Sequence, residues 1–335
     1  MSIVVVKPGA LTTLQDLGRF GYQRFGVVVG GAMDEWSHRT ANVLVGNDDN
    51  EATLEITLMG PCLVFNETVL LAICGADLSP HVGAQQVPMG RPVLLRAGSR
   101  LDFGARRSGC RAYLAIHGGY EVDLLMRSKS TYVRGGFGGF KGRALRKGDE
   151  LTIAARDAER VYPVLGNMLA GTDLAFVSLP VAMAHLAEQP QAPQPVRIMR
   201  GQQWESFSCD THAKFTAHDF RVTPNSDRMG FRLEGEKVVA LHAIEMISEG
   251  VAFGTVQVPP DGNPIVLMAD RQATGGYPKI ADVASVDLPA LAQLMPNQRV
   301  RFELISVEQA QDLYLERERR LQGIADSVTT LRRGF

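Results

Sequence analysis

The sequence predicts a mainly β protein, and three observations lead to this prediction. Short runs of apolar and β-branched residues recur along the 335-residue chain, and each is bounded by Gly, Pro, Asn or Asp. The 34 glycines and 17 prolines suit a chain with many turns. The regular alternation of strands and helices that builds a doubly wound sheet is missing. Together these features favour a sandwich- or barrel-like β architecture.

Several runs have the length of a strand, and we expect each of them to form one. They are 3–6, 63–65, 69–74, 93–95, 113–117, 196–199, 255–258, 265–268 and 300–307. The sequence Pro-Pro-Asp-Gly-Asn-Pro lies between the runs at 255–258 and 265–268. Proline presets φ and Asp-Gly favours a turn, so this segment predicts a β-hairpin.

Few helices are indicated. Asp34 can cap a helix over 35–45, and Gly46 follows as a stop signal. A second, short helix is expected at 287–294.

A longer helix is expected near the C-terminus, where Ser306 and Gln309 form a capping-box pattern. Its apolar stripe consists of Leu313, Leu321, Ile324, Val328 and Leu331. Such a stripe predicts that the helix packs on its own lobe or, alternatively, docks a second copy or another partner.

The chain length suggests two lobes. The segment 187–195, Ala-Glu-Gln-Pro-Gln-Ala-Pro-Gln-Pro, holds three prolines among glutamines and favours an exposed linker without regular structure. We therefore predict an N-terminal β lobe over 1–186, a linker over 187–195, and a C-terminal β lobe with a C-terminal helix over 196–335.

Composition and charge argue against several classes of function. The net charge of −1 gives no basic field for a nucleic acid. No apolar stretch reaches the roughly 18 residues that a membrane span needs, and the N-terminus lacks a signal-peptide pattern, so we expect a cytoplasmic protein. The four cysteines form no C-x-x-C pair and lie near no histidine at zinc-ligand spacing, so no metal is predicted.

The densest set of polar residues follows the predicted strand at 265–268. Arginine and lysine bind carboxylate or phosphate groups, while aspartate and tyrosine can move protons. We predict catalytic roles for Asp270, Arg271, Tyr277 and Lys279. We predict substrate-binding roles for Gln272 and for two residues of neighbouring polar segments, Arg228 and Gln257. A solvated, salt-bridged loop is the structural alternative.

A second polar set lies near the N-terminus, beside flexible glycine-containing backbone. Its predicted substrate-binding residues are Asp16, Arg19, Asp34 and Asn47, and we expect them to face the C-terminal set. Simpler roles are open, because Asp34 can serve as a helix cap and Asp16 can pair with Arg19. The glycine-rich segment 135–143 lacks the spacing of a phosphate loop, so nucleotide binding there is not favoured.

Several motifs, in their order along the chain, resemble one family. They read T-T-L-Q-D-L-G-R, G-A-M-D, A-N-V-L-V-G-N, L-E-I-T-L-M-G-P, S-D-R-M-G-F-R-L-E-G and Q-V-P-P-D-G-N-P-I-V-L-M-A-D-R-Q-A-T-G-G-Y-P-K-I. With shorter segments they extend from Lys7 to about Ala310. This chain resembles the family of 5-oxoprolinase C subunits. The same family is known as allophanate hydrolase subunit 2 and is described as KipA-like or biotin-dependent carboxyltransferase-like.

The resemblance implies two cyclophilin-like β-barrel lobes with a few short helices, and a protein that is inactive without its partners. Those partners would be the KipI-like (B-type) and LamB-like (A-type) subunits, and the complex would open 5-oxoproline to glutamate with ATP. An alternative is the carboxyltransferase part of urea carboxylase, where biotin on a carrier delivers a carboxyl group to urea. Any biotin would then arrive on a partner. A regulatory, non-catalytic partner of a KipI-like protein is the third alternative, and a homo-oligomer is also open.

Overall fold

The computed structural model describes residues 2–154, 157–181, 195–242 and 246–333. Strands dominate it, as the sequence predicts. They are β1 (Ser2–Lys7), β2 (Leu11–Gln15), β3 (Thr53–Thr57), β4 (Cys62–Phe65), β5 (Val69–Asp77), β6 (Pro80–Val82), β7 (Gln85–Gln86), β8 (Val93–Leu95), β9 (Arg100–Phe103), β10 (Ser108–Ile116), β11 (Glu150–Thr152), β12 (Phe176–Ser178), β13 (Val196–Arg200), β14 (Phe220–Val222), β15 (Gly230–Glu234), β16 (Glu249–Gly250), β17 (Thr255–Gln257), β18 (Ile265–Leu267), β19 (Thr274–Gly275), β20 (Lys279–Val283), β21 (Arg299–Val300) and β22 (Phe302–Leu304).

Within the described residues, the α-helices confirm the three that the sequence predicts and add three more. They are α1 (Glu35–Leu44), α2 (Ala158–Val161), α3 (Pro163–Ala170), α4 (Cys209–Ala217), α5 (Leu288–Ala292) and α6 (Val307–Arg333). The Asp34 carboxylate accepts a hydrogen bond from the Ser37 N–H at 2.9 Å, so it caps α1 as expected. Helices α2, α3 and α4 were not predicted.

The chain divides into two compact units. Unit 1 comprises Met1–Gly18, Asp34–Gln189 and Glu318–Phe335, whereas unit 2 comprises Arg19–Met33 and Pro190–Arg317. The predicted lobes were continuous in sequence, whereas two segments of the chain cross between the units. Arg19–Met33 belongs with the C-terminal lobe, and Glu318–Phe335 belongs with the N-terminal lobe. Residues 187–194 of the predicted linker lie outside the described residues.

Unit 1 contains two antiparallel six-stranded sheets, in the orders β11-β1-β4-β9-β6-β7 and β12-β8-β5-β10-β3-β2. Apolar side chains of both sheets form one core, to which Ile3 and Phe65 contribute from the first sheet and Ile56 and Ile73 from the second. Side chains alternate along a strand, so Thr53 and Glu55 of β3 lie on the other face of the second sheet. Helix α1 packs on strands β3, β5 and β10 of this sheet.

Unit 2 is built on an eight-stranded, nearly closed barrel sheet in the order β21-β14-β15-β18-β17-β20-β13-β22. The predicted hairpin is confirmed, since Val256 of β17 pairs with Val266 of β18. The core includes a cluster of three aromatic rings, Phe215, Phe220 and Phe302, whose centroids lie 4.9 to 5.9 Å apart. A small second sheet pairs β16 with β19.

Helix α6 begins with the predicted capping box: Ser306 Oγ accepts from the Gln309 N–H at 3.1 Å, and Gln309 Oε1 accepts from the Ser306 N–H at 2.8 Å. Because the helix starts at Val307, the strand predicted over 300–307 is wrong in its last residues. The buried residues of the helix are Leu321, Ile324 and Val328, which lie in the part that belongs to unit 1. The helix therefore buries its apolar residues within unit 1 and not, as predicted, on the C-terminal lobe from which it starts.

A bidentate ion pair reinforces the C-terminal part of α6 in unit 1. Arg39 of α1 donates to both carboxylate oxygens of Glu318, at 2.7 and 2.8 Å. The same guanidinium donates to Asp49 at 2.8 Å. Among the described helices, none is both long and apolar enough to cross a lipid bilayer.

Candidate functional site

The polar loop after β18 is fixed in unit 2 by a buried ion pair. Arg228 donates through Nε and Nη2 to the two carboxylate oxygens of Asp270, both at 3.0 Å. Its Nη2 also donates to the Gly31 carbonyl at 2.6 Å. Arg228 is 8% exposed and Asp270 is 6% exposed. Two predicted site residues are therefore together, and Arg228 holds Asp270 in a single orientation.

Lys279, the first residue of β20, carries a buried ammonium group in unit 2. Its Nζ donates to Glu249 Oε2 at 2.6 Å and to Gln202 Oε1 at 3.0 Å. The Lys279 side chain is 6% exposed, whereas the Glu249 carboxylate is 42% exposed. The lysine is thus held by one carboxylate that still reaches solvent. Neither Glu249 nor Gln202 was predicted as a site residue, although Glu249 lies in the same polar segment as Gln257.

Gln257 lies beside Lys279, because the two residues pair across strands β17 and β20. Gln257 is buried, and its amide makes a long 3.4 Å hydrogen bond to the Tyr277 carbonyl. The Gly275 backbone packs against the Gln257 amide: a Cβ on Gly275 would lie 2.3 Å from Nε2. A side chain at position 275 would therefore displace Gln257, which explains why glycine is needed at position 275 of the Gly-Gly turn.

The remaining predicted residues of this loop reach solvent. The Tyr277 side chain is 45% exposed, and Gln272 is also exposed. Arg271 is half-buried, with its guanidinium 5.6 Å from the centroid of the Phe253 ring. Unit 2 thus combines a rigid Arg–Asp pair, a buried lysine and exposed polar side chains on one loop, which suits a small anionic or carbonyl-containing ligand.

The predicted N-terminal residues divide between the units. Asp16 lies in unit 1, where its carboxylate accepts from Ser128 Oγ at 2.7 Å, Lys129 N–H at 2.6 Å, Ser130 Oγ at 2.5 Å and Gly18 N–H at 2.8 Å. Three of these four donors come from residues 128–130, so the buried carboxylate fixes that loop onto the end of β2. Asp16 thus has a structural role, in which hydroxyl and backbone groups are the donors.

Asp34 and Asn47 also lie in unit 1, and their contacts are structural. The Asp34 carboxylate accepts from the Ser37 hydroxyl at 2.7 Å in addition to capping α1. Asn47 donates to the Ile116 carbonyl at 2.8 Å and accepts from the Gly118 N–H at 2.9 Å, which secures the end of β10. Arg19 belongs to unit 2 and is fully buried, with its N–H bonded to the Val29 carbonyl at 2.8 Å.

A buried polar face in unit 1 was not predicted as a site. Tyr113 of β10 donates from its hydroxyl to Glu55 Oε2 at 2.8 Å and accepts from the Asp34 N–H at 2.8 Å. His38 of α1 pairs through Nδ1 with Thr53 Oγ1 at 2.9 Å. These side chains are at most 1% exposed. The alternation of apolar and polar residues in β3 was the sequence signal that could have shown them.

Burial controls the ionisation of this face. It lowers the pKa of His38 from its ordinary value to about 4 and, helped by the Glu55 and Asp34 carboxylates, raises the pKa of Tyr113 well above its ordinary value. Both rings are therefore neutral at neutral pH. Two buried atoms of this unit, His38 Nε2 and Gln15 Oε1, have no hydrogen-bond partner among the described residues. Both atoms can accept or orient a small polar group.

In the described part of the chain, no cluster of three or more His, Cys, Asp or Glu side chains is placed to hold a metal ion. Unit 2 is thus a β-rich unit with a nearly closed barrel sheet, a buried lysine and a buried Arg–Asp pair. The model of the carboxyltransferase domain, subdomains A and B, matches residues 25–304. The chain therefore belongs to this carboxyltransferase-domain family.

Curated relatives support this assignment. The chain is 33% identical over 315 residues to the 5-oxoprolinase C subunit of Haemophilus influenzae, which covers 92% of this chain and 95% of the relative. It is 33% identical over 323 residues to the 5-oxoprolinase C subunit of Escherichia coli, with coverage of 96% and 97%. The crystal structure of the K. lactis urea amidolyase matches with a TM-score of 0.85 at 28% identity over 96% of this chain. The matched region is 20% of that larger protein.

Proposed function

We propose that this chain is a component of an ATP-dependent 5-oxoprolinase complex that opens 5-oxoproline to glutamate. The observation that carries the proposal is the extent of the match. The 5-oxoprolinase C subunits of H. influenzae and E. coli align over 95% and 97% of their own lengths, whereas the urea amidolyase aligns over 20%. Similarity over nearly the whole length of a named subunit favours the role that its name describes.

The substrate chemistry suits the polar loop of unit 2. 5-Oxoproline carries a carboxylate and a lactam. We propose that Arg271 binds the carboxylate, since the Arg228 guanidinium is already committed to Asp270 and Gly31. Asp270 accepts from the lactam nitrogen and Gln272 donates to the lactam oxygen. Arg228 and Gln257 hold these substrate-contacting side chains in position.

Ring opening requires activation of a stable amide, and ATP can supply it by transferring its terminal phosphoryl group to the lactam oxygen, with release of ADP. Water then adds to the activated carbonyl carbon, the C–N bond breaks, and phosphate leaves as the new carboxylate of glutamate forms. Negative charge then develops on the transferred group, and Lys279 is the buried cation that can stabilise it. The exposed Tyr277 hydroxyl can move a proton at the leaving nitrogen. In addition to the structural contacts described above, Asp16, Arg19, Asp34 and Asn47 stay proposed substrate-binding residues.

The proposal includes partners. KipI-like (B-type) and LamB-like (A-type) subunits would complete the active enzyme, and ATP would act through this complex. No turnover is expected from this chain alone, because its glycine-rich segment lacks the spacing of a nucleotide-binding loop.

The second candidate is a carboxyltransferase component, which the family model and the urea amidolyase fold favour. In that case the same pocket would receive a carboxylated biotin from a partner and transfer the carboxyl group to urea or another small amide. Lys279 would then stabilise the oxygen of the ureido ring.

Reconstitution separates the two candidates. The chain is combined with its LamB-like and KipI-like partners, and glutamate release from 5-oxoproline is measured with ATP, without ATP and without this chain. We expect glutamate only in the complete, ATP-containing mixture. Carboxylation of urea by a biotin carrier, with no glutamate released, would overturn the proposal and establish the second candidate.

A further inference from the structure

A cavity in unit 1 gathers three arginines from two helices. It has a volume of about 330 Å³ and is lined by Arg160, Val161, Thr329, Arg332 and Arg333. The first two belong to α2 and the other three to the last turns of α6. Among the five lining residues three are cationic, one is a small hydroxyl residue and one is apolar, and none is acidic.

The positive charge of this cavity is only partly compensated. Arg160 has Asp157 at 4.0 Å, and both side chains are largely exposed, at 84% and 71%, so solvent screens their attraction. Arg332 makes one long contact of 3.5 Å with the Gly46 carbonyl. Arg333 has no ion-pair partner among the described residues. Most of the guanidinium donors can therefore reach a ligand.

Helix polarity explains part of this arrangement. Cations near a helix C-terminus are stabilised by the helix dipole, which accounts for Arg332 and Arg333. It does not account for Arg160, which comes from another helix and lines the same cavity. An anion placed in this cavity would be attracted by three cationic side chains that come from two separate helices.

We propose that this cavity binds an anion of the diphosphate type. Guanidinium groups donate in a planar fork that matches phosphate oxygens bidentately. The volume lies near the lower end of small-molecule sites, which suits a diphosphate better than a whole nucleotide. Val161 is the one apolar lining residue, so a nucleobase would find no adequate stacking surface.

The proposal is tested by titrating the full-length chain with pyrophosphate in isothermal calorimetry. Charge inversion at Arg333 (R333E) or at Arg160 (R160E) should weaken binding by roughly tenfold or more, since each removes a charge-assisted hydrogen bond. The matched control is R319E, which makes the same charge change at an exposed position of the same helix. It should bind like the unmodified chain. Melting temperatures of all variants identify any loss of fold.

Two further ligands, ATP and adenosine, test whether the cavity recognises the phosphate groups alone or a whole nucleotide. ATP should bind with an affinity similar to that of pyrophosphate, and adenosine should not bind. The site is refuted if pyrophosphate does not bind, or if R319E weakens binding as much as R333E and R160E do. Tight binding of ATP without binding of pyrophosphate would equally overturn it. Because glutamate release plays no part in this assay, its outcome is independent of the proposed function.

Discussion

Removal of Asp270 should destabilise unit 2 as well as impair its site. Asp270 neutralises Arg228, and the two side chains are only 6% and 8% exposed. Asp270→Ala removes the carboxylate that accepts from both Nε and Nη2 of this buried guanidinium. Loss of one partner of a buried pair typically lowers the free energy of unfolding by about 3–5 kcal/mol. We therefore expect Asp270→Ala to show a loss of this size in urea denaturation.

The double variant R228M/D270L provides the second measurement, because it removes both charges and fills the space with apolar groups. It should recover most of the lost stability, since a buried pair is often replaceable by hydrophobic residues. The exposed pair Arg221–Glu234 is the matched control, with side chains 40% and 57% exposed. Glu234→Ala should change stability by no more than about 1 kcal/mol. The reasoning is refuted if Asp270→Ala unfolds like Glu234→Ala.

Two other predictions concern unit 1. Below pH 6.5 the unfolded chain protonates His38, while the folded chain, with a pKa of about 4 there, does not. This group therefore lowers stability as pH falls from 6.5 to 4, by up to about 3 kcal/mol, and His38→Gln should flatten the measured stability-versus-pH curve in that window. Ile324→Ala opens the buried face of α6 and should lower the free energy of unfolding by about 2–5 kcal/mol, whereas the 49% exposed Leu315 should tolerate alanine. A thermal or chemical melt in which both alanine variants behave alike would contradict the packing of α6.

Local chemistry made part of the fold predictable. The Asp34 cap, the capping box at Ser306 and the hairpin after β17 each depend on a few neighbouring residues, and all three are confirmed. Helix α4 was missed even though Ser208 caps it, because its nine residues show little amphipathic pattern.

Long-range features were beyond the sequence patterns. The exchange of Arg19–Met33 and Glu318–Phe335 between the units is a matter of tertiary packing, which no local propensity encodes. The contacts of Lys279 with Glu249 and Gln202 join residues 30 and 77 positions apart. Residue types thus indicated a polar site, but the partners of the buried Lys279 ammonium group could be identified only from the folded structure.

The role of Lys279 is the central claim, and one measurement tests it most directly. The rate of ATP-dependent glutamate release is compared between complexes that contain the unmodified chain, Lys279→Met or the exposed control Lys237→Met. We expect Lys279→Met to lower the maximal rate by about 100-fold or more, with a melting temperature near that of the unmodified chain, and Lys237→Met to leave the rate unchanged. A Lys279→Met complex that releases glutamate at the unmodified rate would contradict the account.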